Sequence, residues 1–347
     1  MTSTGGPVRT VLPRLTSLRA FAALGVFLFH LGRWHAVQHS PLPFGYAGVT
    51  FFFILSGFVL TWSTAPGTPA GRFYRRRVAR IYPSHLALLV LALALPVSGP
   101  VSVRSVLASL FLVQAWIPRG DITFGLNGVA WSLSCEAAFY LALPFVLAWL
   151  DGRGVRAARW LAGVAFVGGS AVTVVAAVHG GTWAVVAFTH PVLRFGEFLL
   201  GVVAAREVRS GLRVAPGLVV AAAVVGLGVV LAGDLPLPLP DLVLTPLFLT
   251  GIVLAAQTDL TDRRGWLVSR PLIYAGQVSF AFYLVHELVL TNLLHVRDAR
   301  GLGAAVPAFA AAAILAVVVH HGVERPAQRR LSHPGRRAAS DGPPLVT

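Results

Sequence analysis

The sequence contains little charge and few of the residues that bind metals or form cross-links. It has one cysteine and no lysine in 347 residues, and only 12% of its residues are Asp, Glu, Lys or Arg. A single cysteine excludes an intrachain disulfide and a thiolate metal cluster, and we predict no metal site. A charged fraction this low, beside 56% hydrophobic residues, excludes an ordinary soluble domain.

Long apolar runs take the place of that charge. Runs that approach or exceed about 18 residues are typical of transmembrane helices, because a helix satisfies its own backbone inside a bilayer. Candidate runs lie at residues 17–35, 46–64, 81–97, 103–117, 128–150, 157–178, 183–205, 214–232, 241–257, 272–295 and 303–321. The sequence therefore predicts an all-α, polytopic transmembrane helical bundle whose first partner is the lipid bilayer.

The arginines indicate the topology. The formal net charge is +15, which in a soluble protein would point to nucleic acid. Here the arginines lie between apolar runs, where positive residues mark the cytoplasmic side, so we expect no nucleic-acid partner. Most of them share one side if 103–117 is a short outer or re-entrant helix. We predict about ten spanning helices in a bacterial inner membrane, with both termini cytoplasmic.

The chain divides into three segments on this pattern. Residues 1–14 form a cytoplasmic N-terminal segment, and residues 15–324 form the transmembrane domain. Residues 325–347 are rich in Arg, Pro and Ser and are predicted to be a disordered cytoplasmic tail. The proline-rich stretch 233–241 is predicted to be a tight outer turn.

Two ionisable residues lie on one face of the first predicted helix. Arg19 and His30 are separated by 11 residues, which is three helical turns plus about 20° and a rise of roughly 16 Å. Arg19 is expected near the cytoplasmic surface and His30 deep in the membrane. Ionisable groups inside a membrane are costly and usually face one another or water.

Other helices place polar groups at a similar depth, namely Ser56, Glu136, Arg194, Glu197 and His286. We expect these groups to line one polar cavity. The simpler alternatives are that His30 only joins two helices, that Glu136 and Arg194 form a structural ion pair, and that Ser56 with Gly57 serves helix packing.

Arginines also crowd the inner end of the third predicted helix, at positions 72, 75, 76, 77 and 80. The simpler interpretation is that they only anchor the helix on the cytoplasmic side of the membrane, where positive residues collect. The sharper interpretation is a phosphate clamp, because guanidinium groups bind phosphate bidentately. Arg76, Arg77 and Arg80 are the residues predicted to bind a phosphorylated donor molecule that enters from the cytoplasm.

Six motifs in this order resemble the integral-membrane acyltransferase 3 family, over about residues 12–330. They are SLRAFAALGVFLFH from Ser17, AGVTFFFILSGFVLT from Ala47, RRRVARIYP from Arg75, NGVAWSLSCEAAFYLALP from Asn127, SFAFYLVH from Ser279 and VERPAQR from Val323. By position, the family's first-helix pair corresponds to Arg19 and His30, and its acidic residue to Glu136, with Trp131 and Tyr140 in the same motif. The chain departs from the family at Ser17, Thr50 and Ala137, where acidic residues are common.

The resemblance implies an O-acyltransferase that moves an acyl group, acetyl being the expected case, from cytoplasmic acyl-CoA to a hydroxyl of a carbohydrate or secondary metabolite. Acyl-CoA is then a co-substrate and no permanently bound cofactor is expected. Many relatives carry a fused extracytoplasmic esterase-like domain, for which this chain has no segment. Any second transfer step would therefore need a separate extracytoplasmic partner.

The mechanistic hypothesis places donor phosphates on the arginine clamp and the thioester near His30. Neutral His30 acts as general base on the acceptor hydroxyl or takes the acyl group, and Glu136 orients it. The alternatives are a transporter with an intramembrane His/Glu/Arg proton relay and a non-catalytic membrane partner.

Overall fold

The structure is a computed structural model that describes residues 11–33, 40–95, 101–232, 235, 239–262, 264–297 and 302–332. Within these ranges the regular secondary structure is helical and contains no strand, which confirms the predicted all-α class. The helices are α1 (Pro13–Arg33), α2 (Gly48–Ser63), α3 (Ala70–Ala94), α4 (Val103–Leu110), α5 (Gly120–Thr123), α6 (Trp131–Leu150), α7 (Val155–His179), α8 (Gly181–Thr189), α9 (Pro191–Arg209), α10 (Pro216–Ala232), α11 (Leu239–Thr261), α12 (Arg270–Arg297), α13 (Leu302–Val319) and α14 (Arg325–Ser332).

Nine helical stretches in the described part of the chain are long and apolar enough to cross a membrane. Two of them combine consecutive helices, α8 with α9 and α13 with α14. Helix α10 is a shorter apolar helix whose 17 residues rise about 25 Å, close to the thickness of the hydrocarbon core. The polytopic bundle is therefore confirmed, and α10 is the candidate for a tenth span.

The segment between α3 and α6 does not span. Its only helix of two turns or more among the described residues is α4, whose eight residues rise about 12 Å. Short helices and turns fill the rest up to Ala130. The apolar run 103–117 therefore forms the short surface segment that the arginine pattern predicted.

Two predicted boundaries fall inside helices. The predicted outer turn 233–241 ends in α11, because helix begins at Leu239 and Asp241 is fully buried; residues 233–234 and 236–238 lie outside the described residues. The tail predicted to begin at residue 325 is helical as far as Ser332, and residues 333–347 lie outside the described residues. In both places the composition is polar and contains proline, so the sequence indicates a turn or a tail. The structure has a helix end there instead, and its carboxylate, that of Asp241 or Glu324, is buried.

Small residues bring the central helices together. A Cβ on Gly57 of α2 would collide with the Phe198 carbonyl oxygen, and one on Gly201 of α9 would collide with the Ile54 carbonyl oxygen. The α2 and α9 backbones are thus in direct contact, as close approach of membrane helices requires. Helix α1 packs in the same manner on α12, where Gly276 faces the backbone of Thr16.

Candidate active site

Two polar cavities lie inside the bundle, and one of them is rich in arginine. This inner cavity has a volume of about 90 Å³. Its polar lining residues are Arg19, Ser56, Arg77, Arg80, Ser132, Glu136, Tyr140, Ser279 and Tyr283. They come from α1, α2, α3, α6 and α12, so five helices that are distant in sequence converge on it.

The guanidinium groups of the inner cavity are only partly matched by carboxylates. Arg80 pairs with Glu324, which is fully buried. The Glu136 carboxylate accepts a hydrogen bond from the Tyr140 hydroxyl at 2.9 Å. Arg19 and Arg77 have no ion pair within the described residues, and the buried Nε of Arg77 has no hydrogen-bond acceptor there. The cavity therefore carries unsatisfied positive charge.

The second, outer cavity contains His30. Its volume is about 300 Å³, and its lining residues are Val26, Phe29, His30, Arg33, Tyr46, Val49, Phe124, Gly128, Val129, Trp131, Phe188, Tyr283 and Glu287. Six of these side chains are Phe, Tyr or Trp, so the walls are largely aromatic and the polar groups are few. Such a lining is typical of a site that binds an organic molecule and orients it by a few polar contacts.

The His30 imidazole is hydrogen-bonded rather than isolated. Its Nδ1 lies 2.9 Å from the Val26 carbonyl oxygen on the same helix and 3.2 Å from Nε2 of His286 on α12. The two rings meet edge to face, with their centroids 5.0 Å apart. His286 is fully buried and holds His30 from behind.

One wall separates the two cavities. Val49 and Tyr283 line both of them. The Tyr283 hydroxyl lies 2.9 Å from the Ser132 hydroxyl and donates to the Val129 carbonyl oxygen at 3.1 Å. The two cavities therefore adjoin at these two side chains.

A third set of polar residues forms a closed cluster that is buried in the protein. Nη1 of Arg194 lies 2.8 Å from Oδ2 of Asp241 and 3.2 Å from Oε1 of Glu197. Its Nη2 donates to the Thr50 hydroxyl at 2.8 Å. All four residues are at most 3% exposed, and none of them lines either cavity. This cluster joins α2, α9 and α11.

The structure distributes the predicted site residues over these three places. Arg19, Ser56, Arg77, Arg80, Glu136 and Tyr140 line the inner cavity, and His30 and Trp131 line the outer one. His286 contacts His30. Arg194 and Glu197 belong to the closed cluster, so the alternative in which Arg194 pairs with Glu136 is wrong. Arg76 is exposed and lines neither cavity.

The single shared cavity with Glu136 beside His30 is corrected to two cavities. Trp131, at the start of α6, already lies in the outer cavity with His30. Glu136 is five residues further along α6 and therefore about 7 Å deeper. Depth counted from residue 128 took no account of how the short helices and turns before α6 position this helix against α1.

Some residues of the site were missed by sequence reasoning. They are Arg33, Tyr46, Asp241, Tyr283, Glu287 and Glu324. Tyr283 could have been found from the motif FYLVH, because it lies one helical turn before His286 and so shares its face. Asp241 and Glu324 lie at the edges of the predicted turn and the predicted tail, where a carboxylate is expected to be exposed to solvent.

The fold and the two cavities define an integral membrane protein that holds ionisable groups in two adjoining cavities. The model of the acyltransferase 3 family, described as an acyltransferase domain, matches residues 12–321. The chain therefore belongs to this acyltransferase family.

Individual relatives agree with that membership. Acyltransferase MdmB of Streptomyces mycarofaciens is 34% identical over 98% of this chain and 97% of its own length. Nodulation protein 10 of Rhizobium leguminosarum bv. viciae is 30% identical over 44% of this chain and 48% of its own. O-acetyltransferase OatA of Staphylococcus aureus is 30% identical over 41% of this chain and 26% of its own. No solved structure matches the chain.

Proposed function

We propose that this protein is a membrane O-acyltransferase that moves an acyl group, acetyl in the expected case, from cytoplasmic acyl-CoA to a hydroxyl of a carbohydrate or secondary metabolite. The observation that carries the proposal is the arrangement of the cavities. Arginines without ion pairs line the inner one, a histidine lines the outer one, and a single wall separates them. A similar protein named O-acetyltransferase supports transfer to oxygen.

The inner cavity suits the phosphate groups of the donor. Arg19 and Arg77 form no ion pair within the described residues, and their guanidinium groups share the cavity with a single lining carboxylate, that of Glu136. An unpaired guanidinium in a low-dielectric site is costly, so a resident anion would stabilise it. Arg80 is already paired with Glu324, and we assign it the second role of holding α3 against the end of α13.

The length of the donor fits the separation of the sites. The rise along α1 from Arg19 to His30 is about 16 Å, which an extended pantetheine arm can cover. The thioester would then reach the wall formed by Val49 and Tyr283. This places the scissile C–S bond between the two cavities.

His30 supplies the proton chemistry. The acceptor hydroxyl attacks the thioester carbonyl carbon, a C–O bond forms, and the C–S bond breaks. His30 takes the hydroxyl proton and returns it to the departing thiolate, which leaves as CoA. Glu136 lies too deep to orient His30, and we assign it to the balance of charge around Arg19 and Arg77.

The outer cavity is the proposed acceptor site. Its aromatic walls fit the faces of a sugar ring or of another bulky ring compound. Arg33 and Glu287 are the charged residues of its lining. A separate extracytoplasmic partner remains part of the proposal only where a second transfer step exists.

The protein is proposed to lie in the bacterial inner membrane with both termini cytoplasmic. Crossing of the membrane by α10 makes the number of spans even, which this orientation requires. Its apolar side chains are largely exposed, as in Val220 and Val224, at 61% and 68%, which fits lipid contact.

The test is acyl transfer by the purified protein in lipid nanodiscs, with labelled acetyl-CoA as donor and octyl β-glucoside as a hydroxyl-bearing acceptor probe. His30→Ala should lower transfer at least about 10²-fold, because positioned proton transfer contributes that much, with CoA affinity unchanged. Near-native transfer by His30→Ala would reject the role of His30. Mass spectrometry of a deletion strain, searching for a lost acyl mass, would identify the natural acceptor.

A transporter with a proton relay uses the same residue types. Solute flux without acyl-CoA would favour it, whereas CoA release that depends on His30 would exclude a pure transporter. Retained function after simultaneous His30→Ala and Glu136→Ala substitution would favour a non-catalytic membrane partner.

A further inference from the structure

The His30–His286 contact fixes where the protons of both rings lie. Nδ1 of His286 is 2.7 Å from the Tyr283 carbonyl oxygen, and Nδ1 of His30 is 2.9 Å from the Val26 carbonyl oxygen. A carbonyl oxygen only accepts hydrogen bonds. Both Nδ1 atoms must therefore carry hydrogen.

Only one hydrogen can lie between the two rings. Nε2 of His286 lies 3.2 Å from Nδ1 of His30, and that Nδ1 already carries its hydrogen. Nε2 of His286 must therefore present a lone pair. The Nδ1–H of His30 is shared between the Val26 carbonyl oxygen and Nε2 of His286, and the Nε2 of a neutral His30 is left as the basic atom.

From this geometry we propose that His286 is a positioning residue for the acyl transfer, which fixes the tautomer of His30 and accepts its hydrogen bond when the ring becomes charged. The inference rests on the proposed function and names the reacting atom, Nε2 of His30. His30 belongs to the outer cavity, and Nε2 is the ring nitrogen that its protein contacts leave available.

The two rings divide the chemistry. Nε2 of His30 takes the proton of the acceptor hydroxyl as the C–O bond forms. His30 then carries two N–H groups, and its bond to Nε2 of neutral His286 becomes charge-assisted and therefore stronger. When Nε2 returns the proton to the thiolate of CoA, both rings recover their starting tautomers. A carboxylate plays the corresponding role in serine hydrolases; a buried neutral imidazole does so without adding a negative charge.

Packing holds His286 in the required orientation. It is 0% exposed, and its ring stacks on Phe282 with an interplanar angle of 16°. Phe27 of α1 contacts it edge-on, with ring centroids 6.2 Å apart. The close packing of α1 on α12 therefore sets the relation of the two imidazoles.

The first test separates hydrogen bonding from packing. His286→Phe keeps a ring but removes the acceptor, and it should lower kcat by about 10- to 10²-fold while the KM for acetyl-CoA stays within about twofold. The loss is smaller than for His30→Ala, because the Val26 carbonyl still holds the Nδ1 proton. His286→Gln, whose amide oxygen can accept the same hydrogen bond, should recover most of the activity.

The matched control is His85→Phe. His85 is 4% exposed, and its Nε2 lies 2.8 Å from the Ser109 carbonyl oxygen, but it lines neither cavity. A loss of kcat as large as that of His286→Phe would show a general cost of replacing buried histidine. Equal activity of His286→Phe and the wild type would overturn the proposal.

The second test reads the tautomer without any turnover. Nitrogen-15 NMR of histidine-labelled protein in nanodiscs, with His30 assigned by the signals lost in His30→Ala, should show protonated Nδ1 and bare Nε2 at neutral pH. In His286→Phe the His30 Nδ1 signal should move toward that of a more weakly bonded N–H. A protonated Nε2 in the wild type would contradict the proposal, even where acyl transfer itself is confirmed. Absence of transfer by the wild type, with the expected tautomer, would reject the proposed function instead.

Discussion

The buried arginines of this protein occur in two kinds of surroundings. Arg194 is enclosed by Glu197, Asp241 and Thr50, and it lines no cavity. Arg19 and Arg77 face the inner cavity and have no ion pair within the described residues. An intramembrane charge that is neutralised within the protein serves to join helices, whereas one that is left open to a cavity can bind an anion.

The largest effect is expected from the closed cluster. Arg194→Leu leaves the Glu197 and Asp241 carboxylates buried beside each other, which should cost about 3–5 kcal/mol of the free energy of unfolding. Thermal unfolding in detergent would measure the loss. The control is Arg119→Ala, which removes an ion pair with Asp121 whose side chains are 57% and 60% exposed and should leave stability unchanged. If the two variants unfold alike, Arg194 does not have the structural role assigned to it.

Donor binding should respond to the open arginines. Arg77→Ala removes a charge that has no ion pair within the described residues, and it should weaken CoA binding by about tenfold, which is about 1.4 kcal/mol, with little change in stability. Isothermal titration with CoA measures both the affinity and the enthalpy. Arg76→Ala, one residue earlier on the exposed face, is the matched control. An equal loss of CoA affinity in both variants would indicate that the positive charge of the surface as a whole attracts CoA and that Arg77 does not belong to a defined site.

The smallest effect is expected from the neutral wall between the cavities. Tyr283→Phe keeps the ring but removes a hydroxyl that contacts Ser132 and Val129. The hydroxyl has one hydrogen to donate, and the loss of one such bond costs about 1 kcal/mol, so transfer should fall by roughly fivefold. The reference variant is Tyr82→Phe. In the wild type the Tyr82 hydroxyl donates to the Leu110 carbonyl oxygen at 3.0 Å, and Tyr82 lines neither cavity. Equal rates for the two would show that the Tyr283 hydroxyl has no part in the wall.

Residues that share one face of a single helix could be predicted from the sequence. The shared face of Arg19 and His30 follows from their spacing, and so does the common face of Arg77 and Arg80. The structure places Arg19, Arg77 and Arg80 in one cavity. The bundle and its short outer segment followed from run lengths and the arginine pattern.

Contacts between helices far apart in sequence could not be predicted in this way. Nothing in either motif indicates that His30 meets His286 rather than Glu136, because that depends on α1 packing against α12 and on the depth at which α6 begins. The partners of Arg194 and Arg80 were missed for a related reason. Asp241 and Glu324 lie in polar stretches whose composition indicates a turn or a tail, although both are fully buried.

In the proposed mechanism the donor occupies the inner cavity and points toward His30. The most direct measurement is a cryo-EM map of the full chain in nanodiscs with CoA bound. We expect density for phosphate groups against Arg19 and Arg77, and a thiol end at the wall formed by Val49 and Tyr283. CoA seated instead at the separate groove lined by Arg206 and Arg209, with the inner cavity empty, would contradict it.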